Sequence, residues 1–293
     1  MSVAADFMSF RDRYNIGKDL ITSIGNRYRA ITRRLNKDFW NTDSDTAHSL
    51  YVGSYGRDTA AKGISDLDVA VRLPIDVYER YKAYLGNGPS ALLQAVRNSL
   101  QKTYPFSRLG GDGQVVVLQF ADGITFEILP VFGGTEGPWI YPDSNSGGTW
   151  KTCNPKLEIN AIHTRNLMAN RNLKALCRMM RVWKDYNTVP MTGALIDALA
   201  YQFMGTWEHR DKSFTYHDWM ARDFLRYLND QDRNQAYWLM PGSNSRVYRT
   251  GPFGYKAGID YRNAVEACAF QDDADALKRR LKWRYIFGPT FPI

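Results

Sequence analysis

Asp66 and Asp68 lie in "SDLDVAVRL", and Glu127 lies in "ITFEILPVF"; both runs otherwise read as buried strands. Strand alternation puts Asp66, Asp68 and Ala70 on one face and Leu67, Val69 and Val71 on the other. Two carboxylates that close repel, so one takes up a proton unless a cation lies between them. Glu127 takes the opposite face from Phe126 and Ile128, so the three acids converge if its strand lies beside that of Asp66. Such hard oxygen ligands suit two Mg²⁺ ions, with Mn²⁺ as a substitute and with phosphate and water completing the shells. A D-x-D at a strand end is common by itself, but an acid embedded in "FEIL" is costly to bury without a partner.

A small-residue turn precedes the aspartates in "VGSYGRDTAAKGISDLDV". Gly53 and Gly56 let backbone N–H groups approach a phosphate, and the Ser54 hydroxyl adds a donor, together an anion cradle. The spacing is neither that of the longer G-x-x-x-x-G-K-[ST] loop nor that of G-x-G-x-x-G.

The stretch "GSYGRDTAAKGISDLDV", with a later third acid, resembles the motif of DNA polymerase β-like nucleotidyltransferases. The spacer and the later "GGTWKTCNPK" resemble the cGAS/DncV-like nucleotidyltransferases (CD-NTases), of the CdnE-like kind. The resemblance implies an α+β fold: a polymerase β-like core, its mixed sheet flanked by helices, plus a C-terminal helical bundle lobe, with the active site in the cleft between. It implies a Mg-dependent cyclic oligonucleotide synthase. The product would be a cyclic dinucleotide made from ATP and UTP or another NTP, a second messenger in anti-phage (CBASS) defence. Asp66 and Asp68 would hold one metal, and Asp68 and Glu127 the other; Glu127 stands where the family more usually has aspartate. Lys184 in "RVWK" would contact the donor triphosphate, helped by Thr192 in "PMTGALIDALA".

The residues themselves say less about that second half. Leu173, Cys177, Met180 and Lys184 form one helical stripe, while Lys174, Arg178 and Arg181 form a separate basic one that could be plain surface. Tyr55 and Trp150 are stacking surfaces for a base or, equally, packing residues. Asn160 and Asn166 carry amides able to read a base edge, a role tied by the resemblance to choosing a pyrimidine; each could instead cap a helix.

The wider chain must position these groups. Its 293 residues suggest two domains, expected as 1–150, a catalytic core with a long N-terminal helix, and 151–293, a helical nucleotide-binding lid. Ile21, Ile24, Tyr28, Ile31 and Leu35 predict a first helix. Strands are expected near 50–53 and 65–73, a broken helix near 78–100, then a hairpin through "ADG". The Gly/Pro/Ser-rich 133–156 reads as a long loop, and four helices follow, the last near 263–284.

The net charge of +8 attracts phosphates. Arg27, Arg33, Arg34 and Lys37 lie mostly off the first helix's apolar stripe, as a solvated face or a landing surface for an activating RNA. Three cysteines with no CxxC argue for a reducing cytoplasm. No run approaches the ~18 apolar residues of a membrane span, and a monomer is expected. Two rivals stand: a template-independent transferase acting on RNA or another acceptor, and a non-enzymatic basic nucleic-acid binder.

Overall fold

A computed structural model describes residues 2–293. They form two compact units that interleave along the chain. One comprises Gly17–Gly56 and Gly63–Lys156; the other comprises the stretch up to Ile16, Arg57–Lys62 and Leu157–Ile293. The units are not contiguous: the stretch up to Ile16 and Arg57–Lys62 group with Leu157–Ile293, while the helix read from Ile21 to Leu35 stays with the sheet.

The first unit is built on β1 (Ser49–Tyr51), β2 (Asp66–Arg72), β3 (Arg108–Asp112), β4 (Val115–Gln119) and β5 (Thr125–Val131). Their order is β1-β2-β5-β4-β3, with β2 and β5 parallel and the other neighbours antiparallel. The alternation read from sequence decides the layering. Leu67, Val69, Phe126, Ile128, Val116 and Leu118 all face one side, where α2 (Lys18–Leu35) and α5 (Gly88–Gln101) cover them. Ile24, Ile31 and Leu35 come from α2; Leu92, Val96 and Leu100 come from α5. The opposite face carries the acids and a small apolar patch of Val52, Ala70, Val131 and Trp139. β3 was not expected, because "RLGGD" lacks the β-branched pattern and lies exposed at the sheet edge.

The expected long loop contains a ladder. β6 (Trp139–Asp143) and β7 (Thr149–Cys153) pair antiparallel around a tight turn at Asn145–Gly147. Aromatic and β-branched residues in "WIY" and "TWKT" outweigh the surrounding Gly and Pro.

The second unit is mainly helical. α6 (Pro155–Met168) leads into it, followed by α7 (Asn172–Tyr186), α8 (Gly193–Thr206) and α9 (His217–Asn229). The expected last helix is two, α10 (Gly254–Ala269) and α11 (Ala276–Phe287), because the polar stretch "FQDDAD" interrupts the apolar pattern. A helix not expected, α1 (Val3–Tyr14), belongs here: Phe7 and Phe10 pack edge-on or tilted against Trp283, Phe287 and Phe291. Its Asp6 is buried and answers Arg279 and Arg280. None of the three cysteines forms a disulfide among the described residues. Among the described residues, no helix is long and apolar enough to cross a membrane.

Candidate active site

The parallel register sets Asp68 directly opposite Glu127 and Asp66 opposite Thr125. The three acids therefore share the open face of the sheet, as the alternation predicts. Each is at least partly exposed, whereas the intervening Leu67, Phe126 and Ile128 are fully buried. Burial of Glu127, followed by the charges of Asp68, Asp66 and Asp112, pushes its carboxyl above the usual carboxylate range. Among the described residues, no three acidic, histidine or cysteine side chains close on one point as a ready metal cage. Bare carboxylates repel, so neighbouring strands alone do not make them converge. The donor set fits a hard divalent cation nonetheless: three carboxylates on adjacent strands, one already destabilised as an anion by burial and by its acidic neighbours.

β1 leads to the turn. Val52 N–H donates to the Asp68 carbonyl at 2.9 Å, and the chain then winds into one short helical turn, α3 (Gly53–Gly56). Gly53 has φ +58°, a left-handed conformation that favours glycine. It also backs onto the second aspartate: a β-carbon there would come within 2.6 Å of Asp68 Cγ. The Gly53-Ser54 turn and Asp68 are thus adjoining walls. Tyr55 packs at 4.7 Å against the Tyr51 ring, and Trp150 meets Tyr78 edge-on at 4.9 Å. Each ring thus has an aromatic packing partner.

The remaining predicted residues lie in the helical unit. Lys184 is half-buried near the end of α7, with Nζ 2.7 Å from Asp185 Oδ1. Leu173, Cys177 and Met180 on its stripe are fully buried, as expected. Thr192 is the N-cap of α8, its Oγ1 accepting from Leu195 N–H at 3.1 Å. Asn166 is buried, and its Oδ1 accepts from Lys174 N–H at 3.0 Å, joining α6 to the start of α7. Asn160 is exposed on α6.

The basic stripe on α7 is not plain surface. Arg178 pairs with Asp58 and donates to the Ala60 carbonyl at 3.1 Å, and Lys174 reaches Asp58 at 3.2 Å. Arg181 is buried and grips Asp197 on α8 through two bonds of 2.7 and 3.0 Å. Asp197 has no exposed surface and also accepts from Arg57 Nε at 3.0 Å and Thr59 Oγ1 at 2.9 Å. Burial opposes its charge, but Arg181, Arg57 and these hydrogen bonds outweigh it and hold the carboxyl below the usual range. Arg57 then reaches Glu158 at 3.1 Å. This network holds 57–62, the spacer between the Gly53-Ser54 turn and Asp66. Sequence reasoning passed over it, although the signal was present: Asp197 interrupts the apolar "ALIDALA", where an unpaired carboxylate would not be tolerated.

The basic face of α2 is also largely spoken for. Arg27 forks onto Asp122 at 2.7 and 3.0 Å, Arg33 lies near Asp43 and Asp45, and Arg34 pairs with Asp38.

Comparison with known proteins follows this geometry. The Second Messenger Oligonucleotide or Dinucleotide Synthetase domain matches residues 1–166. A curated relative, the cyclic AMP-AMP-AMP synthase of Acinetobacter sp. (strain ATCC 27244 / 9458), is 22% identical over 173 residues, 58% of this chain. The alignment covers only 50% of that relative's length. Among solved structures, Escherichia coli MS115-1 CdnC with ATP superposes with a TM-score of 0.71 at 16% identity, covering 99% of this chain and 98% of that one. Bradyrhizobium diazoefficiens CdnG with GTP gives 0.67 at 14% identity, covering 97% and 94%. These likenesses establish the fold. The domain match spans more than half of the chain, and the protein therefore belongs to the Second Messenger Oligonucleotide or Dinucleotide Synthetase family, the CD-NTases, with their polymerase β-like fold.

Proposed function

We propose that this protein is a metal-dependent nucleotidyltransferase that joins nucleoside triphosphates into a cyclic oligonucleotide. The observation that carries the reading is the register pairing Asp68 with Glu127, beside the glycine turn at Gly53. Two Mg²⁺ ions held by Asp66, Asp68 and Glu127, with Mn²⁺ as a substitute, would neutralise the triphosphate and make the acceptor hydroxyl more acidic. The Gly53-Ser54 turn binds donor phosphates through its N–H groups and the Ser54 hydroxyl. Glu127 Oε is also placed to take the acceptor's proton, a role that a bound metal would make unnecessary. The freed oxygen attacks the α-phosphorus, pyrophosphate leaves, and a second round closes the ring. Positioning and charge neutralisation supply the acceleration.

Lys184 and Thr192 are the proposed further contacts to the donor triphosphate. Among the described residues Lys184 pairs with an exposed neighbour, Asp185, and Thr192 accepts from Leu195 while its hydroxyl can also donate. Asn160 is the freer base reader, since the Asn166 oxygen is engaged. The acceptor bases follow from product analysis: ATP with UTP under the CdnE-like reading, or ATP alone, as the name of the Acinetobacter relative suggests for that protein. A cytoplasmic monomer acting in CBASS-type defence fits this chemistry. An activating RNA would have to compete with the ion pairs around Arg33 and Arg34.

The deciding experiment incubates the protein with labelled NTPs and Mg²⁺ and then adds phosphatase. A cyclic product keeps its label; linear or RNA-attached label instead would favour the transferase rival. Product from an Asp66→Ala, Asp68→Ala variant would refute the site assignment.

A further inference from the structure

The open face of the five-stranded sheet is polarised along β2. Asp66 and Asp68 occupy one end, Ala70 the middle and Arg72 the other end. At the Arg72 end, within the same unit, lies a cavity of about 200 Å³. Its polar lining comes from His48, Ser49, Arg72, Thr135 and Lys156, and Trp139 supplies an apolar wall. No acidic residue lines it. Among the described residues, Arg72 forms no ion pair with a carboxylate. Lys156 has one partner, Glu136, at 3.4 Å, and that carboxylate is 82% exposed.

The wall is rigid. The Trp40 indole donates to the Arg72 carbonyl at 2.9 Å, and Arg72 N–H donates to the His48 carbonyl at 2.7 Å. The His48 ring stacks on Trp40 at 4.0 Å. Its Nδ1 lies 2.7 Å from Asn36 Oδ1, and the Asn36 amide already donates to the Ser44 and Ala47 carbonyls. Asn36 Oδ1 is therefore an acceptor and His48 Nδ1 carries the hydrogen. Burial, then the nearby Arg72 charge, pushes the imidazole below its ordinary range.

We propose that this cavity is a phosphate-binding site, in which Arg72 and Lys156 hold a phosphoryl group. By strand rise, Arg72 lies ~13 Å from Asp68 on the same face, so the site is separate from the carboxylates. The phosphate has two chemical sources: the 5′-phosphates of a nucleotide substrate, which would rest on the proposed reaction, or a free polyphosphate, which would not.

The test uses calorimetry with inorganic tripolyphosphate in EDTA, so that neither metal nor turnover is involved. Tripolyphosphate held at the Gly53-Ser54 turn would persist in Arg72→Gln, Lys156→Gln protein, so the site proposed here is the component lost with that pair and kept in Asp66→Asn, Asp68→Asn protein. That component should bind at least tenfold more weakly in Arg72→Gln, Lys156→Gln protein, and more tightly in Glu136→Gln protein, which releases Lys156. Melting temperatures check that the glutamine variants are folded, and a single Lys156→Glu change at a partly exposed position gives a second reading without touching the sheet. Equal binding by wild type and folded Arg72→Gln, Lys156→Gln protein overturns the proposal. Displacement by ATP identifies the phosphate as that of a nucleotide; tripolyphosphate bound undiminished under saturating ATP identifies a separate anion. The binding readout survives even if the enzyme reading fails, so the two failures are distinguishable.

Discussion

Gly53 and Asp68 touch: a β-carbon on the glycine would lie within 2.6 Å of the aspartate's Cγ. This one approach ties the turn proposed to hold phosphate to the strand proposed to hold metal. It follows from β1 pairing with β2 and from the Val52 N–H bond to the Asp68 carbonyl.

Gly53→Ala should therefore be far worse for activity than for folding. The left-handed backbone at φ +58° costs an alanine ~1–2 kcal/mol, which a domain survives. The new methyl, however, must displace the Asp68 carboxylate, and ~1 Å of misplacement costs on the order of 100-fold in rate. Ser54→Ala removes one donor to a charged phosphate, about 1.5–3 kcal/mol, so its loss in kcat/KM should be about 10- to 150-fold. Steady-state kinetics alongside thermal melts separates the two effects.

Glu127 predicts how metal and stability are linked. Its proton affinity is raised in the folded chain, so in EDTA this group favours folding below its unfolded pKa. That contribution fades as pH rises through the folded value. Above that range the ionised group disfavours the folded chain, and a divalent cation would relieve it. Melting of wild type should rise on adding Mg²⁺. Glu127→Gln in EDTA should melt no lower than wild type, and Mg²⁺ should raise it less. An identical Mg²⁺ response in the variant would remove Glu127 from the ligand set.

The acids, the turn and the central strand pair were legible because period-two alternation is a local signal, and Asp66, Asp68 and Glu127 each break an apolar run. The β6–β7 ladder was less so, since glycine and proline around "WIY" mask a short pairing that depends on its partner. Asn166 and Arg181 show the other limit. Their side chains look functional or superficial in sequence, yet each is consumed by a partner from another segment: the Lys174 amide for one, Asp197 for the other. Such pairings require knowing which helices pack together. The membership of 57–62 in the helical unit was hidden for the same reason.

Asp197→Ala tests that hidden network. It leaves the buried Arg181 without its carboxylate and the buried Arg57 with Glu158 alone, and breaking a buried pair in this way costs about 3–5 kcal/mol. Asp197→Asn keeps the shape and an acceptor for Arg181 or Thr59, so it should cost less. Urea denaturation measures both. Asp58→Ala, at an exposed carboxylate paired with Lys174 and Arg178, should cost no more than about 1 kcal/mol. If Asp197→Ala and Asp58→Ala destabilise equally, the buried network is not what holds the spacer.

Acid stability should depend on His217. It is buried, and burial, with a smaller contribution from Arg11, lowers its pKa to about 4. Its Nε2 lies 3.1 Å from Asn172 Oδ1, while the Asn172 amide donates to the Arg210 and Lys212 carbonyls. The oxygen must therefore accept, and the neutral ring donates from Nε2. Between its ordinary value and about 4, the unfolded chain binds a proton that the folded chain refuses, so stability falls as pH falls through that window. The full effect is about 3 kcal/mol, at 1.36 kcal/mol per unit. His217→Gln keeps a donor for Asn172 but cannot titrate. Denaturation midpoints measured from neutral to pH ~4 should drop less steeply for this variant than for wild type. Parallel slopes would assign the acid sensitivity to other groups.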